Sequence, residues 1–171
     1  MTTIIIFLYW LIPIYINGEN HETSLVKLLN FKGDKPVIIY SQANKDSIIK
    51  MIADNPHTEE YYEFYVLEKK DSMIKVKAIT TLNKDETIGW IKITDTGIYS
   101  RTYSENSYPL YETPRYDSKI IVTIKDKFGT LVQVTDIKDG WLKVKVKCNN
   151  IIYEYWLPKK YQCHTAYNSC T

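Results

Sequence analysis

The chain has 171 residues, enough for one domain or two very small ones. Hydrophobic residues make up 44% and charged residues 25%, with only six Gly and six Pro, which excludes a disordered, collagen-like or multi-span membrane chain. The net charge of +2, from 22 basic and 20 acidic side chains, gives no electrostatic case for a nucleic-acid partner. Fifteen Tyr, four Trp and four Phe favour strands.

Residues 1–18 contain no charged side chain. The apolar block Ile4–Ile16, broken only by Pro13, is shorter than the roughly 20 residues that a spanning helix needs. It reads as the apolar region of a secretory signal peptide, ending at Gly18 before Glu19-Asn20-His21. The departures are a missing Lys or Arg ahead of the block and the large Ile16 near the end. A buried strand or core helix is the other reading of the same residues. Export implies a secreted or periplasmic protein without a stable membrane span. Beyond it, residues 19–99 carry 11 basic and 13 acidic side chains and residues 100–171 carry 11 and 7, so the halves present different surfaces.

Glu22–Phe31, with Leu25, Val26, Leu28 and Leu29, reads as a short helix ended near Gly33. Asn44–Ile52 reads as a turn or two within a loop. The remainder is organised by an internal repeat. Tyr40 and Ser47 are answered by Tyr111 and Ser118, Met73–Lys77 by Trp141–Lys145, and Gly89-Trp90-Ile91 by Tyr155-Trp156-Leu157, at offsets of 71, 68 and 66. The first unit is distinguished by a longer insertion around Asp54–Tyr62. Strands are expected at Tyr62–Leu67, Met73–Ile79 and Thr87–Ile93, then at Lys119–Ile124, Thr130–Thr135, Trp141–Cys148 and Ile151–Leu157. Lys143, Lys145 and Lys147 alternate with Leu142, Val144 and Val146, the period of a strand with one wet face. Asp139-Gly140 and Asn149-Asn150 supply hairpin turns. About five short hairpin-linked strands per unit predict an all-β chain of small barrels.

The second unit carries a family likeness. Leu110-Tyr111-Glu112-Thr113-Pro114 precedes Ser118, Val134-Thr135-Asp136 leads to Gly140-Trp141-Leu142-Lys143-Val144, and Tyr153-Glu154-Tyr155-Trp156-Leu157-Pro158 closes the unit. This order resembles the bacterial SH3-like domain, well over 107–171 and more loosely over 35–99. The first unit lacks the proline after Tyr40 and has Met73 in place of the Trp. The resemblance implies two tandem SH3-like barrels: a signal segment 1–18, a short segment 19–34, a divergent barrel 35–99, a linker 100–107 and a second barrel 108–171. It also implies a binding or targeting module of the kind found beside cell-wall enzymes.

Three cysteines, Cys148, Cys163 and Cys170, allow three single bridges, and sequence alone does not choose among them. The resemblance, through the ending Gln162-Cys163 to Tyr167 and Cys170, implies a Cys163–Cys170 disulfide and leaves Cys148 a small buried thiol. Cys163-His164 with Cys170 is the one grouping with metal character and lacks a fourth ligand, so no metal or other cofactor is expected. His21, His57 and His164 offer no convincing partner for a nucleophilic cysteine. Glu59-Glu60 and Asp85-Glu86 read as solvated loop ends rather than a catalytic carboxylate pair. The expectation is a non-enzyme.

The candidate ligand-binding residues are Tyr111, Tyr116, Trp141, Tyr153 and Tyr155, whose rings could stack on an extended peptide or on a sugar. Tyr153 and Tyr155 share one strand face and Trp156 takes the other, where it is assigned to the core. Tyr111 and Tyr116 are expected at a partly exposed surface. The functional expectation is an exported, non-catalytic module that recognises a peptide or peptidoglycan ligand at the envelope. The alternative is a structural or protein–protein interaction module in an envelope assembly.

Overall fold

The structure, a computed structural model, describes residues 26–44, 47–100, 107–125 and 129–164. The expected signal segment 1–18, residues 101–106 of the expected linker and Cys170 lie outside the described residues.

Alternation of apolar and polar residues drives strand after strand. Along Trp141–Cys148 the side chains of Leu142, Val144 and Val146 are buried while Lys145 and Lys147 are exposed. Among the described residues thirteen strands form: β1 (Lys27–Asn30), β2 (Val37–Tyr40), β3 (Ile48–Ile52), β4 (Tyr62–Lys70), β5 (Met73–Thr80), β6 (Glu86–Lys92), β7 (Thr96–Ser100), β8 (Ser107–Tyr111), β9 (Ile120–Lys125), β10 (Leu131–Lys138), β11 (Trp141–Cys148), β12 (Ile151–Leu157) and β13 (Gln162–Cys163). Single 3-10 turns at Ile93–Asp95 and Lys159–Tyr161 precede β7 and β13. The chain is all-β. The strands join in one antiparallel sheet of order β3-β2-β6-β5-β4-β1-β7-β10-β11-β12-β8-β9, with β13 added on β7.

The expected repeat appears in the strand pairing. Tyr40 pairs with Trp90 and Tyr111 with Trp156. Ile74 pairs with Ile91 and Leu142 with Leu157. The hairpins shift register between Ile39 and Tyr40 and again between Leu110 and Tyr111. The longer hairpins do so between Val66 and Glu68 and again between Val134 and Asp136. A bulge repeated at the same place is a built feature that re-aims the strand.

β7 joins the two halves. One of its edges takes β10 at Gly97–Tyr99. The other takes β1 at Thr96 and Gly97 and then β13 at Tyr99 and Ser100. β1 likewise pairs with β4 and with β7. β7 therefore closes the first repeat and opens the second. A Cβ at Gly97 would meet the Val132 carbonyl oxygen at 2.9 Å and the Phe31 ring at 3.0 Å, so the glycine lets the neighbouring chain pass this close. The core is one continuous cluster across both halves, including Leu28, Ile39, Phe64, Ile98, Val134 and Leu142. Burial of each such side chain stabilises by roughly 1.5–3 kcal/mol.

Two local expectations fail for the same reason. The helix expected over Glu22–Phe31 is replaced, where described, by β1, because Leu28 and Leu29 are buried between two partner strands and pairing overrides a weak helical pattern. The loop expected over Asn44–Ile52 contains β3, whose β-branched Ile48 and Ile52 pair with Tyr40 and Val37 of β2.

Candidate functional site

The tip of the β8–β9 hairpin is folded by its own hydrogen bonds. Glu112 N–H donates to the Lys119 carbonyl at 2.9 Å, Arg115 N–H to the Thr113 carbonyl at 2.8 Å, and Thr113 N–H to Ser118 Oγ at 3.0 Å. Arg115 pairs with Asp117, and that bond holds the Asp117 carboxyl below its usual range. The pair is fully exposed, so it shapes the tip more than it stabilises it. Pro114 lies in this tip and Tyr116 at its end, 62% exposed.

Tyr116 leans back over the start of β11. Asp139 and Gly140 have φ of 51° and 77°, the pair of positive values of a tight hairpin turn, and this turn delivers Trp141 to the strand's outer face. The Tyr116 and Trp141 rings lie 4.8 Å apart at 57°. Tyr111 meets Trp141 edge-on at 5.3 Å and Tyr116 at 6.2 Å. Such pairs contribute about 0.5–1.5 kcal/mol each beyond their buried area. Tyr111, Trp141 and Trp156 form a small cluster of their own, separate from the main core. The result is an aromatic platform with buried rings beneath and the Tyr116 ring open to solvent.

The five expected ligand residues therefore divide. Tyr111, Tyr116 and Trp141 come together. Tyr153 and Tyr155 do not: they pair with Val146 and Val144 and pack partly buried against the main core, on the opposite face. Trp156, assigned to the core, is buried as expected, in the small core cluster with Tyr111 and Trp141. Tyr111, expected at the surface, is only 9% exposed because Trp141 and Trp156 cover it.

The first repeat builds the same frame without the platform. Ser41 N–H donates to the Ser47 carbonyl at 2.8 Å, and Asp71 has φ of 52°. Met73 stands where the second repeat has Trp141. A hollow of about 310 Å³, lined by Ala43, Asn44, Lys70, Asp71, Ser72 and Met73, lies beside it.

Among the other candidates, Cys148 is a free, half-buried thiol and Cys163 is fully buried on β13. The Cys163–Cys170 pairing involves a residue outside the described ones. Burial first and the Lys27 cation second lower the His164 imidazole, against the Glu63 carboxylate. His57 sits on an exposed turn and donates its backbone N–H to Asn55 Oδ1 at 3.0 Å. Among the described residues no three His, Cys, Asp or Glu side chains are placed to hold a metal, and no helix is long and apolar enough to cross a membrane.

Asp54 escaped the sequence reading. It lines a cavity of about 450 Å³ formed by the insertion of the first repeat. Burial raises its carboxyl to about 6, against hydrogen bonds from Tyr62 N–H and the Asn30 side chain, which lower it. The insertion was the one signal available, since it breaks the repeat.

No protein-family model matches the chain, and no curated protein matches it. Among solved structures it is similar to NlpC2 from Trichomonas vaginalis, at 17% identity and a TM-score of 0.29, over 79% of this chain and 46% of that one. The chain thus spans a little under half the length of that protein, and the likeness is too loose to carry an argument about fold or function.

Proposed function

We propose that the chain is an exported, non-catalytic binding module of two SH3-like units, in which the second unit recognises an extended peptide or a peptidoglycan ligand at the cell envelope. The observation that carries this reading is the exposed Tyr116 ring set, tilted and edge-on, against the buried Tyr111–Trp141 pair at a folded hairpin tip. A rigid aromatic face stacks on a sugar or a proline ring at low entropic cost. A Cys163–Cys170 bridge would pin the C-terminal tail in the oxidising compartment that export implies.

The test is cosedimentation with purified cell-wall sacculi at low and high salt. Salt-resistant pelleting that is lost in Tyr116→Ala, with the circular dichroism spectrum unchanged, supports stacking. Pelleting abolished by salt alone reduces the effect to general attraction of cationic side chains. No pelleting at all removes the wall as the ligand.

One observation favours the structural or protein-interaction alternative. β3 is an edge strand on which Ile48, Ile49 and Met51 are each at least half exposed. An apolar edge of this kind is a template for pairing with another chain. Copurification of a partner that is lost in Ile49→Lys, with wall binding absent, selects that reading.

A further inference from the structure

The cavity at Asp54 has an origin of its own. Residues 53–61 connect β3 to β4, whereas residues 126–130 suffice between β9 and β10. The extra length folds into a closed turn: Asn55 N–H donates to the Glu60 carbonyl at 2.8 Å, and Glu59 adopts φ of 55°. The turn is tied to the opening of the first repeat. Asp54 N–H and Asn30 Nδ2 both donate to the Gly33 carbonyl, at 2.9 and 2.8 Å. Between this turn and the shared strand β7 lies the space of about 450 Å³. That volume falls within the usual range of small-molecule sites, roughly 300–1,000 Å³.

Its lining has two chemistries. Leu29, Phe31, Tyr99 and Leu131 supply apolar and aromatic surface, with Leu131 contributed by the second repeat. Asp34, Asp54, Glu59 and Glu60 supply carboxylates against a single cation, Lys32. Lys32 is already drawn toward Asp95, 3.8 Å away. Glu60 accepts a hydrogen bond from Asn83 at 2.8 Å, and Asp54 accepts one from Tyr62 N–H at 3.0 Å. The carboxylates are too dispersed for a metal ion. Spread around an apolar wall, they suit a diffuse or long cation whose body is organic.

We propose that this cavity binds a small organic cation, an ammonium or guanidinium head on an apolar stem, with the head at the Asp54 side and the stem against the β1–β7–β10 wall. The proposal is independent of the aromatic platform, which lies on other residues. Bound charge is compensated by the ionised Asp54, so protonation of that carboxyl competes with the ligand. The remaining titratable neighbours are Tyr61 in the turn, Tyr99 on β7, and Tyr62, whose phenol is raised by burial and then by Glu60, Asp85 and Asp54, with His57 on the turn outside the lining.

The test is a nuclear magnetic resonance titration of the full chain with n-pentylammonium and n-butylguanidinium chloride, beside 1-pentanol and sodium pentanoate. The expected result is saturable shifts at Asn30–Asp34 and Asp54–Tyr61 with either cation, and at least about tenfold weaker binding of the alcohol and the anion. Asp54→Asn keeps an oxygen to accept from Tyr62 N–H, so the fold is retained, and it weakens cation binding about tenfold. Wild-type affinity falls about tenfold from pH 7.5 to pH 5, and His57→Gln leaves that fall in place. Equal response to the alcohol, unchanged affinity in Asp54→Asn, shifts confined to Tyr116, or no saturable shift overturns the proposal.

Discussion

The two repeats share a frame and differ in what they place on it. Tyr40 faces Trp90 as Tyr111 faces Trp156, and each half closes its long hairpin through an Asp with positive φ. The second repeat then packs Tyr116, tilted, against Trp141. The first has Met73 there and spends its extra residues on the 53–61 turn over an acidic cavity instead. The two halves make equivalent strand pairings within one sheet, and the loops between the strands present different surfaces. Loops can do this because they carry few of the core contacts that hold the fold.

Breaking the common frame should have the largest effect. Gly97→Ala forces a Cβ against the Val132 carbonyl and the Phe31 ring in the strand both repeats use, at a cost of about 3 kcal/mol. Because β7 belongs to both halves, urea unfolding followed by fluorescence and by circular dichroism should remain a single coincident transition at a lower midpoint. Two separate transitions would show that the halves fold independently.

Making the second repeat resemble the first is the next step down. Trp141→Met removes a largely buried ring and should cost about 2 kcal/mol in the same assay, less than the removal of a main-core aromatic because the platform lies at the surface. Wall or peptide binding should go with it.

Asp54 sharpens the contrast from the other side. Its carboxyl is raised in the folded chain, so the folded state holds the proton more tightly than the unfolded one. Ionisation therefore removes stability as pH rises from the ordinary carboxylate range to about 6, and the loss is constant above that. Asp54→Asn should abolish this slope and raise stability at pH 7 by about 1–2 kcal/mol, after allowance for solvent at the cavity mouth. Thermal melts of both forms between pH 4 and pH 7 read it directly. The smallest stability effect belongs to Tyr116→Ala, about 1 kcal/mol, because the ring is exposed and loses only its contacts with Tyr111 and Trp141. Its main consequence should be on binding.

The legible parts of the fold are those where local chemistry and tertiary pairing agree. Trp141–Cys148 and Ile151–Leu157 are found with the expected bounds, because strict alternation and the Asp139-Gly140 and Asn149-Asn150 turns leave no other arrangement. β1 was illegible because four residues paired on both sides look locally like a helix fragment. Period-two reading correctly separated Tyr153 and Tyr155 from Trp156. It could not tell which face is the core, since both faces carry aromatics: parity along a strand is a local property, and the sign is set by what packs on the sheet. The cavity was hidden for a different reason. Asp54 acquires its character only where Gly33, Asn30 and β7 meet the inserted turn.

The central claim is that the aromatic platform of the second repeat, and not its counterpart in the first, is the ligand surface. The most direct measurement follows the tryptophan indole N–H resonances of the full chain during titration with soluble peptidoglycan fragments. Trp141 and Trp156 should shift with a common saturation curve while Trp90, at the equivalent place in the first repeat, stays fixed, and Tyr116→Ala should abolish the response. Movement of Trp90 with Trp141 and Trp156 still, or no movement of any of them, would contradict it.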